Sequence, residues 1–435
     1  MVNIRIHRGS HCIGGSITEI YTENTHIFID FGSELNADPD NSTDAKMIDM
    51  ITHSYCDAVL FTHYHGDHMG LLEYIPEKNQ NGKIIELRMG GVAKEVLINI
   101  HKALMKFSDG GDEYIGRHQR YLDILKNEKR TVTFTDNNTF EIGDFRITPI
   151  MVDHSAYDAY MFVIEAEGKI IVHTGDYRTH GRLGSGFFKK LEKILNGISV
   201  DVLITEGTMM SRFDEIVITE TQLQQKATEL LSKPENKYAF LICSSTNVES
   251  LASFANAAMK NGKAFYVNYY VYDQIQLYRD VIKDHRFGFK KTYKFESVNR
   301  YNPKLGMTQP QYMEENGFLM LIGTSEAYKK RIDMFKKYDP LLIYSMWNGY
   351  LEKSKSYYDK DLGNLFYGWP ENRRELGYHT SGHATPKDIK KMIQTVDPKK
   401  SIIPIHTEHP EKFEELGLEK YSFIKAEDNE IICLG

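Results

Sequence analysis

Apolar runs and helical patterns alternate along the middle of the chain, from residue 237 onward. Each short run of β-branched and aromatic residues is followed by a longer segment in which apolar residues recur with helical spacing. The strand and helix pairs are 238–243 with 247–260, 264–270 with 273–282, and 318–323 with 326–337, followed by a strand at 341–346. Strands that alternate with helices are typical of a parallel sheet. We therefore predict a doubly wound α/β domain in this region.

The other predicted strands end in clusters of polar residues. These strands are 27–31, 57–62, 145–152, 169–174 and 200–205 in the N-terminal half, and 400–405 near the C-terminus. Open α/β sheets place their sites beyond the carboxyl ends of their strands, so these polar loops can converge. We expect the chemistry of the protein to lie where these strands end.

The densest polar cluster is the segment His63-Tyr64-His65-Gly66-Asp67-His68, which follows a buried apolar strand. In an extended segment alternate residues share a face, so His63 and His65 can bind one ion. Beyond the turn at Gly66, Asp67 and His68 can reach a second ion. Imidazole and carboxylate ligands without thiolate suit zinc, manganese or iron.

Three more residues of the metal-ligand type follow later strands. His154 comes after the strand 145–152, Asp176 after the strand 169–174 and His406 after the strand 400–405. His154 could complete the set begun by His63 and His65, and His406 could complete the second set. Asp176 could bridge both. Together these residues predict a site for two divalent metal ions.

The charge of the chain is unevenly distributed. The formal net charge is -7, yet residues 206–375 carry 24 Lys and Arg against 21 Asp and Glu. Within this part, the basic stretch 283–304 interleaves lysines with aromatic residues, so Lys290, Lys291 and Lys294 are predicted to contact phosphates while aromatic faces take unstacked bases. For this stretch alone, a solvated hairpin with one buried face is the favoured alternative.

The cysteines and the hydropathy pattern bear on the compartment. Cys12, Cys56, Cys243 and Cys433 are far apart and form no CxxC motif, which is typical of free thiols in a reducing compartment. No apolar run approaches 18 residues, so no membrane span is predicted. We expect a cytoplasmic protein, and a homo-oligomer is left open.

The segment HYHGDH resembles the HxHxDH signature of the metallo-β-lactamase superfamily, with His154, Asp176 and His406 matching its later ligand motifs in order. A second set of residues is similar to the β-CASP nuclease branch. Glu206 resembles its motif A, His383 its motif B and His406 its motif C. A histidine at motif C is similar to the RNA-acting members, the ribonuclease J-like and compact prokaryotic β-CASP ribonucleases, whereas the DNA-acting nucleases carry valine there.

The resemblance implies a metallo-β-lactamase αββα sandwich formed by residues 1–206 and 376–435. It also implies an inserted, doubly wound α/β domain, the β-CASP domain, at residues 207–375, with the site in the cleft between the two domains.

The reaction predicted is hydrolysis of RNA phosphodiester bonds by a water that two divalent ions activate, Zn²⁺ first and Mn²⁺ second. Asp67 would orient the water, His383 would protonate the leaving oxygen, and Glu206 would fix the tautomer of His383. The residues predicted to cradle the phosphate are His379, Ser381 and the backbone N–H of Gly382. For His379, a structural place in the turn is an equal alternative.

Three other functions share parts of this pattern. A small-ester hydrolase on the same metal core would also carry HxHxDH, but it needs neither a 170-residue insertion nor a second histidine motif at 379–383. A β-CASP nuclease acting on DNA is also left open as an alternative. A non-catalytic scaffold protein would characteristically have lost metal ligands, and all seven candidates are present here.

Overall fold

The computed structural model of the protein describes residues 1–35, 42–107, 111–282, 287–296, 301–355 and 357–435. The chain divides into two compact units. The first unit consists of Met1–Thr179, Leu183–Ile216 and Gly382–Gly435. The second unit consists of His180–Arg182 and Val217–Ser381.

The first unit contains two mixed β-sheets. Its strands are β1 (Val2–Arg8), β2 (Ile17–Tyr21), β3 (His26–Ile29), β4 (Ala58–Leu60), β5 (Glu86–Gly90), β6 (Thr131–Phe134), β7 (Phe140–Ile142), β8 (Phe145–Val152), β9 (Ala159–Ala166), β10 (Lys169–His173), β11 (Val202–Glu206), β20 (Ser401–Ile405) and β21 (Ile431–Leu434). The strand orders are β21-β1-β2-β3-β4-β5-β6 in one sheet and β20-β11-β10-β9-β8-β7 in the other. Since β20 pairs with β11, the C-terminal part of the chain completes the same sheet as the N-terminal half.

The two sheets of the first unit pack face to face. Ile4 and Ile29 from one sheet and Phe162 and Ile204 from the other belong to a single buried hydrophobic cluster. Such a cluster forms because alternate strand residues point to the same face, and each sheet turns an apolar face toward the other. Burial of this cluster stabilises the sandwich through the hydrophobic effect.

Helices cover the outer faces of these sheets. The helices of the first unit are α1 (Asp44–His53), α2 (Gly66–Met69), α3 (Gly91–Phe107), α4 (Asp112–Lys126), α5 (Phe187–Ile194) and α12 (Pro386–Val396). Helices α5 and α12 pack their apolar sides against the second sheet, and α3 and α4 contact strands of the first. Helix α12 begins sharply because Thr385 and Asp388 form a reciprocal capping box and Pro386 occupies the first turn. The predicted αββα sandwich is confirmed.

The second unit is built on one parallel sheet. Its strands are β12 (Tyr238–Cys243), β13 (Ala264–Val267), β14 (Thr292–Lys294), β17 (Phe318–Ile322), β18 (Leu341–Ser345) and β19 (Arg374–Glu375), with a separate two-stranded hairpin of β15 (Tyr301–Asn302) and β16 (Met307–Thr308). The strand order is β14-β13-β17-β12-β18-β19. Its helices are α6 (Glu220–Ser232), α7 (Val248–Lys260), α8 (Tyr269–Val281), α9 (Gln309–Asn316), α10 (Glu326–Phe335) and α11 (Lys360–Tyr367). The predicted doubly wound α/β arrangement is confirmed.

One predicted boundary in the second unit is wrong. The apolar and aromatic run 264–270 was expected to be a single strand, but the strand ends at Val267 and α8 begins at Tyr269. The side chain of Asn268 accepts a hydrogen bond from the N–H of Val271, and this N-cap ends the strand. None of the helices in the described part of the chain is both long and apolar enough to cross a membrane.

Candidate metal centre

The seven predicted ligands all lie in the first unit, in segments that follow or end strands. The histidine-rich segment runs from β4 into the short helix α2, whose first residue is Gly66. His154 follows β8, Asp176 follows β10 and His406 follows β20. Because β10, β11 and β20 are adjacent parallel strands, their carboxyl ends lie at one edge of the sheet. The structure brings these seven residues together in the overlapping ligand groups described below.

Three histidines form the first group. His63 Nε2 is 3.0 Å from His65 Nδ1, and His65 Nδ1 is 3.1 Å from His154 Nε2. These spacings approach the edge of about 3.3 Å that a tetrahedral site with metal–nitrogen distances near 2.0–2.1 Å requires. Burial lowers the pKa of His65 to about 4 and the pKa of His63 and His154 well below the ordinary value. The three rings are therefore neutral near pH 7 and present lone pairs.

Asp67, His68 and His406 form the second group. His406 Nε2 is 3.3 Å from Asp67 Oδ2, and His68 Nε2 is 3.9 Å from the same oxygen. Asp176 lies between the two groups, since its Oδ2 is 3.1 Å from His68 Nε2, 3.9 Å from His406 Nε2 and 4.0 Å from His63 Nε2. One carboxylate oxygen thus faces ligand atoms of both groups.

The electrostatics of the second group fit a cation. Burial by itself would raise the pKa of Asp67 and Asp176, but the neighbouring histidines outweigh it and hold both carboxyls ionised. His68 Nε2 is buried and lies 3.1 Å from Asp176 Oδ2. Burial would lower the pKa of His68, but the charges of Asp176, Asp30 and Asp67 outweigh it and raise the pKa well above its ordinary value. This concentration of buried carboxylate charge around an imidazole is what a bound cation would balance.

Several residues that sequence reasoning missed orient these ligands. Asp30 accepts from His68 Nδ1 at 2.7 Å and also from the N–H and hydroxyl of Thr62. Thr208 Oγ1 is 2.9 Å from His406 Nδ1. Hydrogen bonds of this kind fix the ring that a metal-binding histidine presents. The signal that could have pointed to Asp30 is its place near the end of the predicted strand 27–31; in the structure it follows β3 and has a φ of 61°.

His383 lies beside Glu206 and the metal-type cluster. Its Nδ1 is 3.1 Å from Glu206 Oε2 and 3.5 Å from Asp176 Oδ2. Burial would lower the pKa of His383, but the charges of Glu206 and Asp176 outweigh it and raise the pKa above its ordinary value. Glu206 is itself fully buried and also accepts the backbone N–H groups of Tyr177 and Ala384. The N–H of Thr208 is a fourth donor, and a carboxylate with four donors holds one orientation, so it can fix the ring of His383.

The other predicted phosphate-binding residues divide between the units. Gly382 is in the first unit, and its carbonyl accepts from His154 Nδ1 at 2.7 Å. A side chain at this position would meet Ser155, since an added Cβ comes within 2.7 Å of Ser155 Oγ. His379 and Ser381 are in the second unit, where the carbonyl of Ser381 accepts from His180 Nε2.

In the structure, some aromatic residues of the basic stretch 283–304 are buried and others are exposed, which the sequence did not show. Three of its aromatic residues face the core of the second unit and are not available for stacking: Phe287, Phe289 and Phe295. Tyr293 and Tyr301 are exposed. Lys290 and Lys291 precede β14, whereas Lys294 ends it. Residues 283–286 and 297–300 of the stretch lie outside the described residues.

A buried ion pair connects two of the loops that carry ligands. The carboxylate of Asp153 accepts from Arg178 Nε at 2.8 Å and from the N–H of Gly184 at 2.5 Å. Both charged side chains are completely buried. Since His154 follows Asp153 and Asp176 lies two residues before Arg178, the pair joins the segments that present these two ligands.

Comparisons with known proteins agree with this geometry. The model of the "Beta-lactamase superfamily domain" matches residues 48–242, and that of the "Zn-dependent metallo-hydrolase RNA specificity domain" matches residues 377–426. The chain is 24% identical over 400 residues to a protein named ribonuclease J from Mycoplasma genitalium, covering 87% of this chain and 62% of that protein. It is 28% identical over 182 residues to endoribonuclease ysh1 of Aspergillus fumigatus, covering 41% of this chain and 20% of the relative.

The chain therefore spans less than two thirds of the length of each of these relatives. The crystal structure of a protein of unknown function from Enterococcus faecalis V583 is also similar, with a TM-score of 0.74, 21% identity and complete coverage of both chains. This last likeness concerns the fold. The zinc-dependent family model and the His and Asp groups together support divalent-metal binding by this chain. The two family models, together with the two curated relatives, support a metallo-β-lactamase protein of the β-CASP type.

Proposed function

We propose that this protein is a metal-dependent ribonuclease that hydrolyses RNA phosphodiester bonds. The observation that carries the proposal is the His383–Glu206 pair beside a cluster of seven metal-type ligands. A small-ester hydrolase needs the cluster, but it has no need of a second, carboxylate-held histidine at its edge. The model named as an RNA specificity domain matches the segment that contains both His383 and His406, and the names of the relatives point the same way.

Two divalent ions are proposed for the cluster. His63, His65 and His154 would hold one, and Asp67, His68 and His406 would hold the other, with Asp176 shared. Nitrogen and carboxylate donors without thiolate fit Zn²⁺, and Mn²⁺ is the second candidate. When bound, the ions would supply positive charge that polarises the phosphate and makes water a better nucleophile at neutral pH.

Asp67 has a further proposed role toward the attacking water. Its carboxyl is held ionised by the surrounding histidines, and its side chain is 13% exposed. An ionised, partly accessible carboxylate accepts a hydrogen bond from the water and can orient it toward the phosphorus.

His383 is proposed to protonate the leaving ribose oxygen. Its Nδ1 faces Glu206 and Asp176, so the proton that it donates would come from Nε2. The raised pKa favours the protonated ring, which is the form that an acid catalyst requires. Glu206 positions the ring and stabilises its charge. Because Asp176, His383 and His406 also form a ligand-like group, a ligand role for His383 is the alternative that metal analysis must exclude.

We also propose two functional domains, whose bounds differ from those of the two compact units only at residues 180–182, 207–216 and 376–381. A discontinuous metallo-β-lactamase domain of residues 1–206 and 376–435 is supported by β20, which lies beside β11 in one sheet. A β-CASP domain at 207–375 is supported by the parallel sheet of the second unit. The four cysteines are unpaired, which supports the proposed cytoplasmic location.

The proposal is tested with one RNA labelled separately at each end, its DNA counterpart and a panel of small esters. Wild-type protein should cleave the RNA in the presence of Zn²⁺ or Mn²⁺, and the His65→Ala variant should not. Cleavage of the esters without cleavage of RNA would favour the small-ester hydrolase. Equal cleavage of DNA would extend the substrate class to both nucleic acids. The two labels also report the mode and direction of cleavage.

A further inference from the structure

Two tyrosines stand together at the carboxyl edge of the parallel sheet in the second unit. Tyr269 is the first residue of α8, directly after the cap Asn268, and Tyr272 lies one turn further on. Residues three apart on a helix are neighbours on its surface. Tyr269 is 45% exposed and Tyr272 is half-buried. Both rings therefore reach solvent where α/β sheets present ligand sites.

Lys294 holds the two rings from the end of the neighbouring strand. Its Nζ is 4.8 Å from the centre of the Tyr269 ring and 4.9 Å from that of Tyr272. The same ammonium is 3.7 Å from Asp273 Oδ1, so much of its charge is already balanced. Lys294 is therefore better suited to fix the two rings through cation–π contacts than to bind a phosphate.

A second layer of contacts supports this edge. The amide of Asn268 donates to the Tyr328 hydroxyl at 2.6 Å, and Arg331 lies 4.9 Å from the centre of the Tyr328 ring. The backbone at the start of α8 is thus fixed on two sides, by its own cap and by Tyr328. Rings that are held before a ligand arrives lose little conformational freedom on binding.

We propose that Tyr269 and Tyr272 form a stacking surface for unpaired bases of single-stranded RNA, a role that rests on the proposed ribonuclease function. Aromatic rings accept the face of any base and therefore bind single strands with little sequence preference. A duplex hides these faces, so the surface would select unpaired segments. Because the rings contact bases and the charge of Lys294 is balanced by Asp273, we expect the affinity for RNA to fall more when bases are removed than when the salt concentration is raised.

Equilibrium RNA binding to the full chain carrying Asp67→Asn, which is expected to prevent cleavage, tests the proposal. The probes are an oligoadenylate and an abasic strand of the same length. Tyr269→Ala should weaken oligoadenylate binding at least about fivefold, the lower end for a base stacked on an aromatic side chain, and leave abasic binding unchanged. Tyr269→Phe should retain the affinity, because it keeps the ring. The dependence of binding on salt should not change.

Tyr293→Ala is the matched control. Tyr293 is 47% exposed and precedes Lys294, but alternate strand residues point to opposite faces, so its ring is not part of the proposed surface. Unchanged oligoadenylate affinity in Tyr269→Ala, or equal losses for oligoadenylate and the abasic strand, would overturn the stacking proposal. In the wild-type background, failure to hydrolyse any RNA would instead overturn the ribonuclease function, whatever the tyrosine variants do.

Discussion

The metal-type cluster of the first unit and the tyrosine edge of the second unit both lie where parallel strands end, yet they differ in burial. His63, His68 and Asp176 are almost completely buried, and their pKa values are displaced far from the ordinary ones. Tyr269 and Lys294 retain access to solvent. Buried charged groups can be held in one geometry and one protonation state, whereas exposed rings can meet a long and variable strand. We therefore expect substitutions in the first unit to affect metal, turnover and stability, and those at the second unit's sheet to affect affinity alone.

The strongest test of this contrast removes a ligand. His65→Ala or Asp176→Asn should reduce bound metal from close to two ions per chain to one or fewer. Loss of the charge stabilisation that metals provide should lower phosphodiester hydrolysis by on the order of 10³-fold or more. Elemental analysis and a hydrolysis assay measure both quantities.

His53→Ala is the control for ligand removal, since this histidine is exposed and lies on α1. It should retain metal and activity. Full activity of the protein after metal removal and in the continued presence of a chelator would contradict a metal-dependent reaction.

The second test separates proton transfer from metal binding. His383→Ala should keep a near-normal metal content while turnover falls by roughly 10²–10⁴, the range for a lost general acid. Loss of metal in this variant would instead identify His383 as a ligand. Metal content and single-turnover rates, measured on the same preparation, distinguish the two outcomes.

Glu206→Gln should act through His383 and therefore lower turnover in the same direction. Because the two side chains form one hydrogen-bonded pair, the double variant should be little worse than His383→Ala alone. Additive losses would show that Glu206 acts independently.

The third test concerns stability. Arg178 and Asp153 are completely buried, so Arg178→Met leaves a buried carboxylate without its partner and should lower the free energy of unfolding by about 3–5 kcal/mol. Arg146 pairs with Glu165 at the surface, where Arg146 is 54% exposed, and Arg146→Ala should cost no more than about 1 kcal/mol. Urea denaturation at matched metal content measures both. Equal losses of unfolding free energy in Arg178→Met and Arg146→Ala would show that burial does not distinguish the two ion pairs.

The fourth test uses pH. Burial alone would raise the pKa of Glu19, but hydrogen bonds from His26 and His7 outweigh it and lower the pKa to about 2, from the ordinary 4.5. A carboxyl with a lowered pKa stabilises the fold above pH 4.5 and loses that contribution as the pH falls toward 2. The full contribution is at most about 3.5 kcal/mol, at about 1.4 kcal/mol for each unit of pKa.

Glu19→Gln removes the ionisable carboxyl and with it this pH-dependent contribution to stability. The difference in unfolding free energy between wild type and Glu19→Gln should therefore be largest near pH 6 and shrink as the pH falls from 4.5 to 3. A difference that stays constant over this range would show that Glu19 stabilises the protein by packing alone.

The sequence predicted most where one short segment carries the signal. His63, His65, Asp67 and His68 occur together after a strand, and the strand and helix rhythm predicted the parallel sheet. The contacts that orient these ligands were not visible, because they join residues far apart: Asp30 and His68 are separated by 38 positions and Thr208 and His406 by 198.

Composition also failed to show which side of an element a residue faces. The stretch 283–304 mixes basic and aromatic residues, but Phe287, Phe289 and Phe295 belong to the core. The boundary at Val267 was missed because aromatic residues favour strands, whereas the cap at Asn268 starts a helix. The strand propensity of the aromatic residues therefore concealed a local capping signal.

The smallest expected effect concerns Lys290 and Lys291, which the sequence alone placed with Lys294 on an RNA path. They lie at the amino end of β14, where the carbonyl of Lys291 accepts from the N–H of Phe265 at the start of β13. Ligands of α/β sheets bind at the opposite, carboxyl edge. The slope of the logarithm of the binding constant against the logarithm of the salt concentration changes by about 0.7 for each phosphate contact on a single strand. We therefore expect the double variant Lys290→Ala and Lys291→Ala to flatten this slope for RNA binding by less than about 0.7. Titrations at several salt concentrations, beside Tyr269→Ala, provide the measurement. Flattening by about 1.4 or more would mean that both lysines contact phosphates, and the RNA path would then include the amino edge of this sheet.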